Sequence, residues 1–237
     1  MKNQRIKTSP RLLSVVVPIH TMYPELVRVR AAIQQATTPF EVLLVTQEAL
    51  AKHLGSAHPH EKMIITSKKG RGLVLAEGVR QTSGDIIVFL HADTILPDNW
   101  DSAIIESLSD QRVIGGGFSL AMDETKAYLK LLVALSKILF YCFHELWGDR
   151  ALFVRSSFMR QHLPEFEIPM MEDVRLTMIM KKQGKVVLLK EKVITSARTF
   201  RKYGLLHNTM RILLVRLWYG VGRDPEKIYE YYYDTLK

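Results

Sequence analysis

Short apolar blocks alternate along this chain with longer amphipathic stretches. Leu12–Ile19 ("LLSVVVPI"), Phe40–Val45 ("FEVLLV"), Lys62–Thr66 ("KMIIT") and Asp85–Leu90 are near-continuous runs dominated by Val, Ile and Leu. In Leu12–Ile19, Phe40–Val45 and Asp85–Leu90 that pattern marks buried strands, and Lys62–Thr66 reads as a further strand. Between them, Pro24–Ala36 predicts a helix with proline in its first turn. Gln47–Leu54 predicts a short helix closed by Gly55. A third helix is expected over Gly72–Gln81, after the loop "SKKGRG". A β-α-β-α-β-α-β order builds a parallel sheet with helices on both faces. Beyond it the pattern predicts a helix from Pro97 to Leu108, a strand over Val113–Met122 and a long apolar helix over Asp123–Phe143. A strand at "DRALFVR", a helix over Glu172–Gln183 and two short strands, "KVVLL" and "KVITS", follow. From Arg198 onward the chain reads as helical and basic.

Composition narrows the classes. The 237 residues are 47% hydrophobic and 24% charged, which suits one globular domain and excludes a disordered chain. The single cysteine, Cys142, excludes a disulfide framework and any CxxC metal site. The net charge of +9 fits an anionic partner: nucleic acid, lipid surface or phosphorylated small molecule. No aromatics interleave with the basic residues as a single-strand nucleic-acid platform requires, so nucleic acid is not expected.

Chemistry-bearing residues cluster at segment ends. The run ending at Leu90 stops abruptly in His91-Ala92-Asp93. Ligands of open parallel sheets bind beyond the carboxyl ends of the strands, where a carboxylate can hold a divalent metal. Asp93-Thr94 would also serve as a plain turn cap. Lys68-Lys69-Gly70-Arg71-Gly72 opens a helix and is either a phosphate cradle or a solvated basic turn. Glu172 and Asp173 open another helix, where acidic residues suit the dipole and could also act as general bases. The glycines of "GGGF", among them Gly116 and Gly117, suggest close approach of a ligand or of another backbone. Trp147 and Asp149 offer an aromatic face and a carboxylate for a substrate.

The ordered series "SVVVPI", "GRG", "TSGDIIVFLHADT", "GGGF", "WGDRALFVR", "MEDVRL" and "VITSARTFRKYG" resembles the family 2 glycosyltransferases, in particular a small bacterial branch. The resemblance runs from about Ser14 to Tyr232. It implies a GT-A fold, a Rossmann-like and mostly parallel sheet between helices. It also implies a nucleotide-diphosphate sugar donor, a Mg²⁺ or Mn²⁺ ion, and transfer with inversion. Carried over, Asp93 is the metal-binding carboxylate, with His91 where relatives have a first Asp. Asp173, beside Glu172, is the catalytic base. Pro18 and Arg71 are expected at the donor, and charge and motif order put Arg198 and Lys202 where the chain could return over its phosphates. Gly116, Gly117, Trp147 and Asp149 are the candidates to line the substrate.

Departures from the family pattern concentrate on the nucleotide side. His20-Thr21-Met22 replaces the usual Asn-Glu after the first strand, Thr46-Gln47 a base-reading Asp, and Val74-Leu75-Ala76 a Gln-Met-Asn. They imply an unusual donor, or a relative that keeps the fold and has lost donor binding. A sugar-phosphate nucleotidyltransferase would need a Gly-rich loop directly after the first strand, and "PIHTMYP" has none. Residues 1–197 are expected to form the GT-A domain, and 198–237 a basic amphipathic helical extension packed on it. Tyr128–Phe143 is too short and too charged to span a bilayer. With the basic helix after Arg198 it could pack on the core, form a homodimer or lie on the inner face of a membrane. A cytoplasmic protein, peripheral on the membrane, acting on a lipid-linked acceptor is the corresponding expectation.

Overall fold

The computed structural model describes residues 12–55 and 58–234. Its eight strands are β1 (Leu13–Ile19), β2 (Phe40–Thr46), β3 (Glu61–Ile65), β4 (Ile86–Phe89), β5 (Thr94–Ile95), β6 (Val113–Met122), β7 (Leu152–Arg155) and β8 (Lys185–Thr195). The helices are α1 (Leu26–Ile33), α2 (Glu48–Ala51), α3 (Arg71–Arg80), α4 (Trp100–Ser107), α5 (Ala127–Phe143), α6 (Ser156–Gln161), α7 (Leu163–Phe166), α8 (Glu172–Gln183), α9 (Arg198–Tyr203), α10 (Leu205–Gly220) and α11 (Pro225–Asp234), with a 3-10 turn at Gly148–Arg150.

The strands form one sheet in the order β3-β2-β1-β4-β7-β6-β8-β5. The expected parallel block is present: β1 lies between β2 and β4, and β2 pairs β3, all parallel. The β-branched runs of β1, β2 and β4 are buried on both faces, whereas the edge strand β3 is only partly buried and leaves Ile65 exposed. Val15 and Val17 point to one core with Trp100 and Phe118, and Val16 points to the other with Val74, Phe89 and Leu176. The second half is mixed. β7 inserts antiparallel between β4 and β6, β6 runs parallel to β8, and β5 pairs antiparallel with the end of β8.

Three boundaries differ from expectation. The two short strands expected after Gly184 are one strand, β8. Its charged middle, Lys190-Glu191-Lys192, is carried through by a register shift opposite Phe118/Ser119, which keeps the apolar positions on either side in the ladder. The helix expected from Asp123 begins at Ala127, because the Asp123 carboxylate accepts the Ala197 N–H (2.8 Å) and an Arg201 N–H. "DRALFVR" enters through the 3-10 turn and is extended only from Leu152.

The C-terminal helices close the structure through a third cluster, in which Met171 and Val174 meet Val215 and Ile228, with Trp147, Trp218, Tyr231 and Tyr232 around them. α10 is turned inside out. It buries Asn208, Arg211 and Val215, while Leu206, Met210, Leu213 and Leu217 are at least half exposed. Among the described residues no helix is long and apolar enough to cross a membrane.

Candidate active site

A cleft of about 340 Å³ opens at the carboxyl ends of β1 and β4 and gathers Pro18, Arg71, Asp93, Asp149, Asp173 and Arg198. Topology brings them together. β4 ends at Phe89, and the chain turns through His91–Asp93 into β5. β5 pairs with the end of β8, so the segment after β8 passes beside Asp93; the Ser196 N–H donates to the Asp93 carbonyl at 3.2 Å. Arg198 then donates to the Asp93 carboxylate at 3.2 Å, and its guanidinium lies 4.4 Å from the centre of the Tyr23 ring. Burial pushes the Asp93 carboxyl up; Arg198 offsets part of that, and Glu25 and Asp123 add to it. This is a partly dehydrated acidic site with one arginine over it, a place where further positive charge is stabilising.

The opposite wall is built on Arg71. Each of its three guanidinium nitrogens has a protein partner: Nε on Glu172, Nη1 at 3.2 Å from His91 Nε2, and Nη2 on Asp173 at 2.7 Å. An arginine only donates, so His91 Nε2 is the acceptor and its proton sits on Nδ1. Burial and Arg71 together lower the His91 pKa to about 3, leaving the imidazole neutral. Asp173 also accepts the Gly148 N–H (2.7 Å) and the Val174 N–H (2.8 Å). Burial alone would raise its carboxyl, but Arg71 and these two amides outweigh it and hold the group below the usual range. Glu172 takes the other outcome. Fully buried, with Oε2 lacking a partner, it is pushed up to about 7 by burial despite Arg71. Two adjacent carboxylates that share one guanidinium divide in this way, one ionised and one easily protonated.

The glycines of "SKKGRG" have a role other than a phosphate cradle. A Cβ at Gly70 would stand 2.7 Å from the Pro169 backbone, and one at Gly72 would overlap the Ile168 carbonyl. Both let the start of α3 seat against the segment before α8, which drives Arg71 between Glu172 and Asp173. Gly148 serves the same junction, its Cβ position lying 2.8 Å from His91 Nε2. Gly116 also departs from expectation. A Cβ there would meet the Val187 carbonyl, and Gly117 packs on Leu152 and Arg150, so these glycines accommodate neighbouring strands and neither lines the cleft. Lys202 is exposed, 4.8 Å from the Tyr203 ring centre, and is not among the cleft residues. Trp147 and Asp149 do line it.

Sequence reading missed Tyr23, Ser196, Arg216 and Tyr233, all in the cleft wall. Tyr23 had a readable signal, lying shortly after the end of β1. Tyr233, from α11, had none. Thr46, where the family carries an Asp, turns its hydroxyl inward onto the Ile19 carbonyl at 3.0 Å. Among the described residues no group of three or more His, Cys, Asp or Glu side chains stands close enough to hold a metal.

The fold is similar to that of Staphylococcus aureus TarS. The crystal structure of its residues 1–349 in complex with UDP-GlcNAc superposes with a TM-score of 0.58 at 13% identity, covering 78% of this chain and 58% of that one. A second crystal structure of S. aureus TarS gives 0.57 at 13% identity, covering 87% of this chain and 39% of that one. The chain thus spans little more than half the length of the first of these and less of the second. No curated protein matches it in sequence. The sequence model described as glycosyl transferase family 2 matches residues 14–160. With that match over more than half its length, and with its strand-end cleft, the chain belongs to glycosyl transferase family 2.

Proposed function

We propose that this protein transfers a sugar, with inversion, from a nucleotide-diphosphate sugar to an acceptor hydroxyl. The observation that carries the reading is the pairing of Asp93 with Arg198 at the end of β4, in one cleft with Asp173. The donor diphosphate would lie at Asp93 and Arg198, near Pro18. The acceptor oxygen attacks the anomeric carbon, the bond from that carbon to the diphosphate breaks, and the hydroxyl proton passes to Asp173. Arg198 balances the negative charge on the departing diphosphate. Arg71, expected at the donor, instead orients Asp173 and keeps it ionised.

A Mg²⁺ or Mn²⁺ ion fits this donor set if Asp93 is its one carboxylate ligand and substrate phosphate oxygens and water complete the shell. His91 does not contribute in this reading, because its Nε2 faces Arg71. When bound, the ion would add positive charge at the leaving diphosphate.

Support for treating residues 198–234 as part of the catalytic domain comes from Arg198 and Tyr233, which wall the cleft. A second reading, a relative that has lost donor binding, draws on Thr46, whose hydroxyl is committed to the Ile19 carbonyl. The test is a transfer assay over a panel of sugar nucleotides with simple alcohols as acceptors, the anomeric configuration of the product read by NMR. An inverted glycoside made by the wild type and not by Asp173→Asn supports the reading. A retained configuration excludes direct displacement, and no turnover of any donor favours the second reading.

A further inference from the structure

A second cavity, of about 250 Å³, adjoins the cleft and shares Trp147, Asp149 and Arg216 with it. Its other walls are mainly apolar: Leu139 and Phe143 from α5 and Leu213 from α10. Those three residues are also 42%, 61% and 50% exposed, so the chamber opens onto the outer faces of the two helices. The charged groups around it are almost all satisfied. Arg216 is paired with Glu145 at 2.5 Å, and Arg150 donates to the Phe118 carbonyl and to Ser136. The exception is Asp149. Its Oδ1 is buried without a hydrogen-bond partner, where the apolar chamber meets the polar cleft.

A buried carboxylate oxygen without a donor is costly; Asp149 itself is half-buried, and a small rotation of its carboxylate would bring that oxygen to a ligand hydroxyl that relieves the cost. An apolar cavity of about 150 Å³ already takes a benzene-sized ligand, so this chamber has room for a larger apolar fragment. Resting on the glycosyltransferase reading, we propose that the chamber is the acceptor site and that the acceptor is an apolar alcohol. Its hydrocarbon body lies between α5 and α10. In the resting complex its hydroxyl donates to Asp149, and for transfer it rotates to give that one proton to Asp173. The inside-out character of α10 fits this role. Leu206, Met210 and Leu217 continue the apolar surface beyond the mouth, where a longer chain would emerge. Four basic residues of the C-terminal segment are already engaged, Arg198, Arg201, Arg211 and Arg216 binding Asp93, Asp123, Asn208 and Glu145.

The probe is a decanol analogue carrying a photoactivated diazirine on its alkyl chain, offered either free in buffer or within phosphatidylcholine vesicles. Labelled positions are read by mass spectrometry, with unlabelled decanol or decane as competitor. The expected result is labelling concentrated at residues 139–143 and 213, with decanol competing about tenfold better than decane. Leu213→Trp, which fills the chamber from a half-exposed position, should cut labelling at least tenfold with its unfolding midpoint retained. Asp149→Leu should keep labelling but erase the preference for the alcohol. A free probe that labels as well as the vesicle-borne one identifies a dissolved acceptor, and labelling only from vesicles identifies a membrane-borne one. Labelling spread over the surface and unchanged in Leu213→Trp would overturn the proposal. Nucleoside diphosphate binding, followed by thermal shift on the same samples, separates the two claims. Nucleotide binding without chamber labelling removes the acceptor proposal alone; chamber labelling without nucleotide binding removes the glycosyltransferase reading.

Discussion

β1 and α10 solve opposite problems. Every residue of β1 is buried, and its apolar side chains fill both cores of the sheet. α10 buries Asn208 and Arg211 and leaves Leu206, Met210, Leu213 and Leu217 outside. The first region uses apolar residues for stability and presents only the strand ends to a ligand. The second encloses polar groups, Arg211 donating to Asn208, and leaves an apolar surface beside the cleft. The difference shows that net charge alone is a poor guide to this protein's partners, because Arg198, Arg201 and Arg216 of the C-terminal segment are already paired with Asp93, Asp123 and Glu145.

The largest effect should come from the polar wall between these regions. Asp173→Asn is expected to lower kcat about a thousandfold, the scale of a lost general base, with the donor Kd unchanged. Equal losses in kcat and in donor affinity would make Asp173 a structural residue. Next in size is the sheet: Leu44→Ala, fully buried, should cost about 2–5 kcal/mol in urea unfolding. The apolar face of α10 should respond in the opposite sense. Leu217→Lys, at a position 61% exposed, is expected to change stability by less than about 0.5 kcal/mol. A cost like that of Leu44→Ala would mean that α10 has a covering partner in solution.

A smaller, pH-dependent effect separates the two carboxylates of α8. Folded Glu172 has a pKa raised from 4.5 to about 7, so the folded chain holds a proton that the unfolded chain releases between those values. Stability from this group is therefore complete below pH 4.5 and is lost as pH rises through about 7. Glu172→Gln should flatten that slope in unfolding curves taken at pH 5 and pH 8. An unchanged slope would assign the titration elsewhere.

The parallel half was legible because strands buried on both faces leave unbroken β-branched runs, and "HADT" at the end of one of them located Asp93. The antiparallel insertion of β7 was not, since a four-residue apolar strand reads the same in either direction. β8 was read as two strands because Lys190-Glu191-Lys192 looks like a turn until its register shift against β6 is seen. Of the candidate site, the acidic groups were legible from local sequence and their partners were not. Arg71 meets Glu172 and Asp173 across 101 and 102 positions, and its flanking glycines suggested phosphate when they serve chain packing. The orphaned Asp149 oxygen and the apolar chamber depend on how α5 and α10 come together, which no local pattern records.

The most direct test of the central claim is a thermal-shift titration of nucleoside diphosphates, with and without Mn²⁺, on the wild type and on Asp93→Asn. A ligand bound to the native state raises the unfolding midpoint by mass action, about 2.7 kcal/mol of stabilisation at a hundredfold excess over Kd. A Mn²⁺-dependent shift in the wild type that Asp93→Asn abolishes is the result this account predicts. A shift of equal size in both proteins would place the diphosphate away from Asp93 and Arg198 and contradict it.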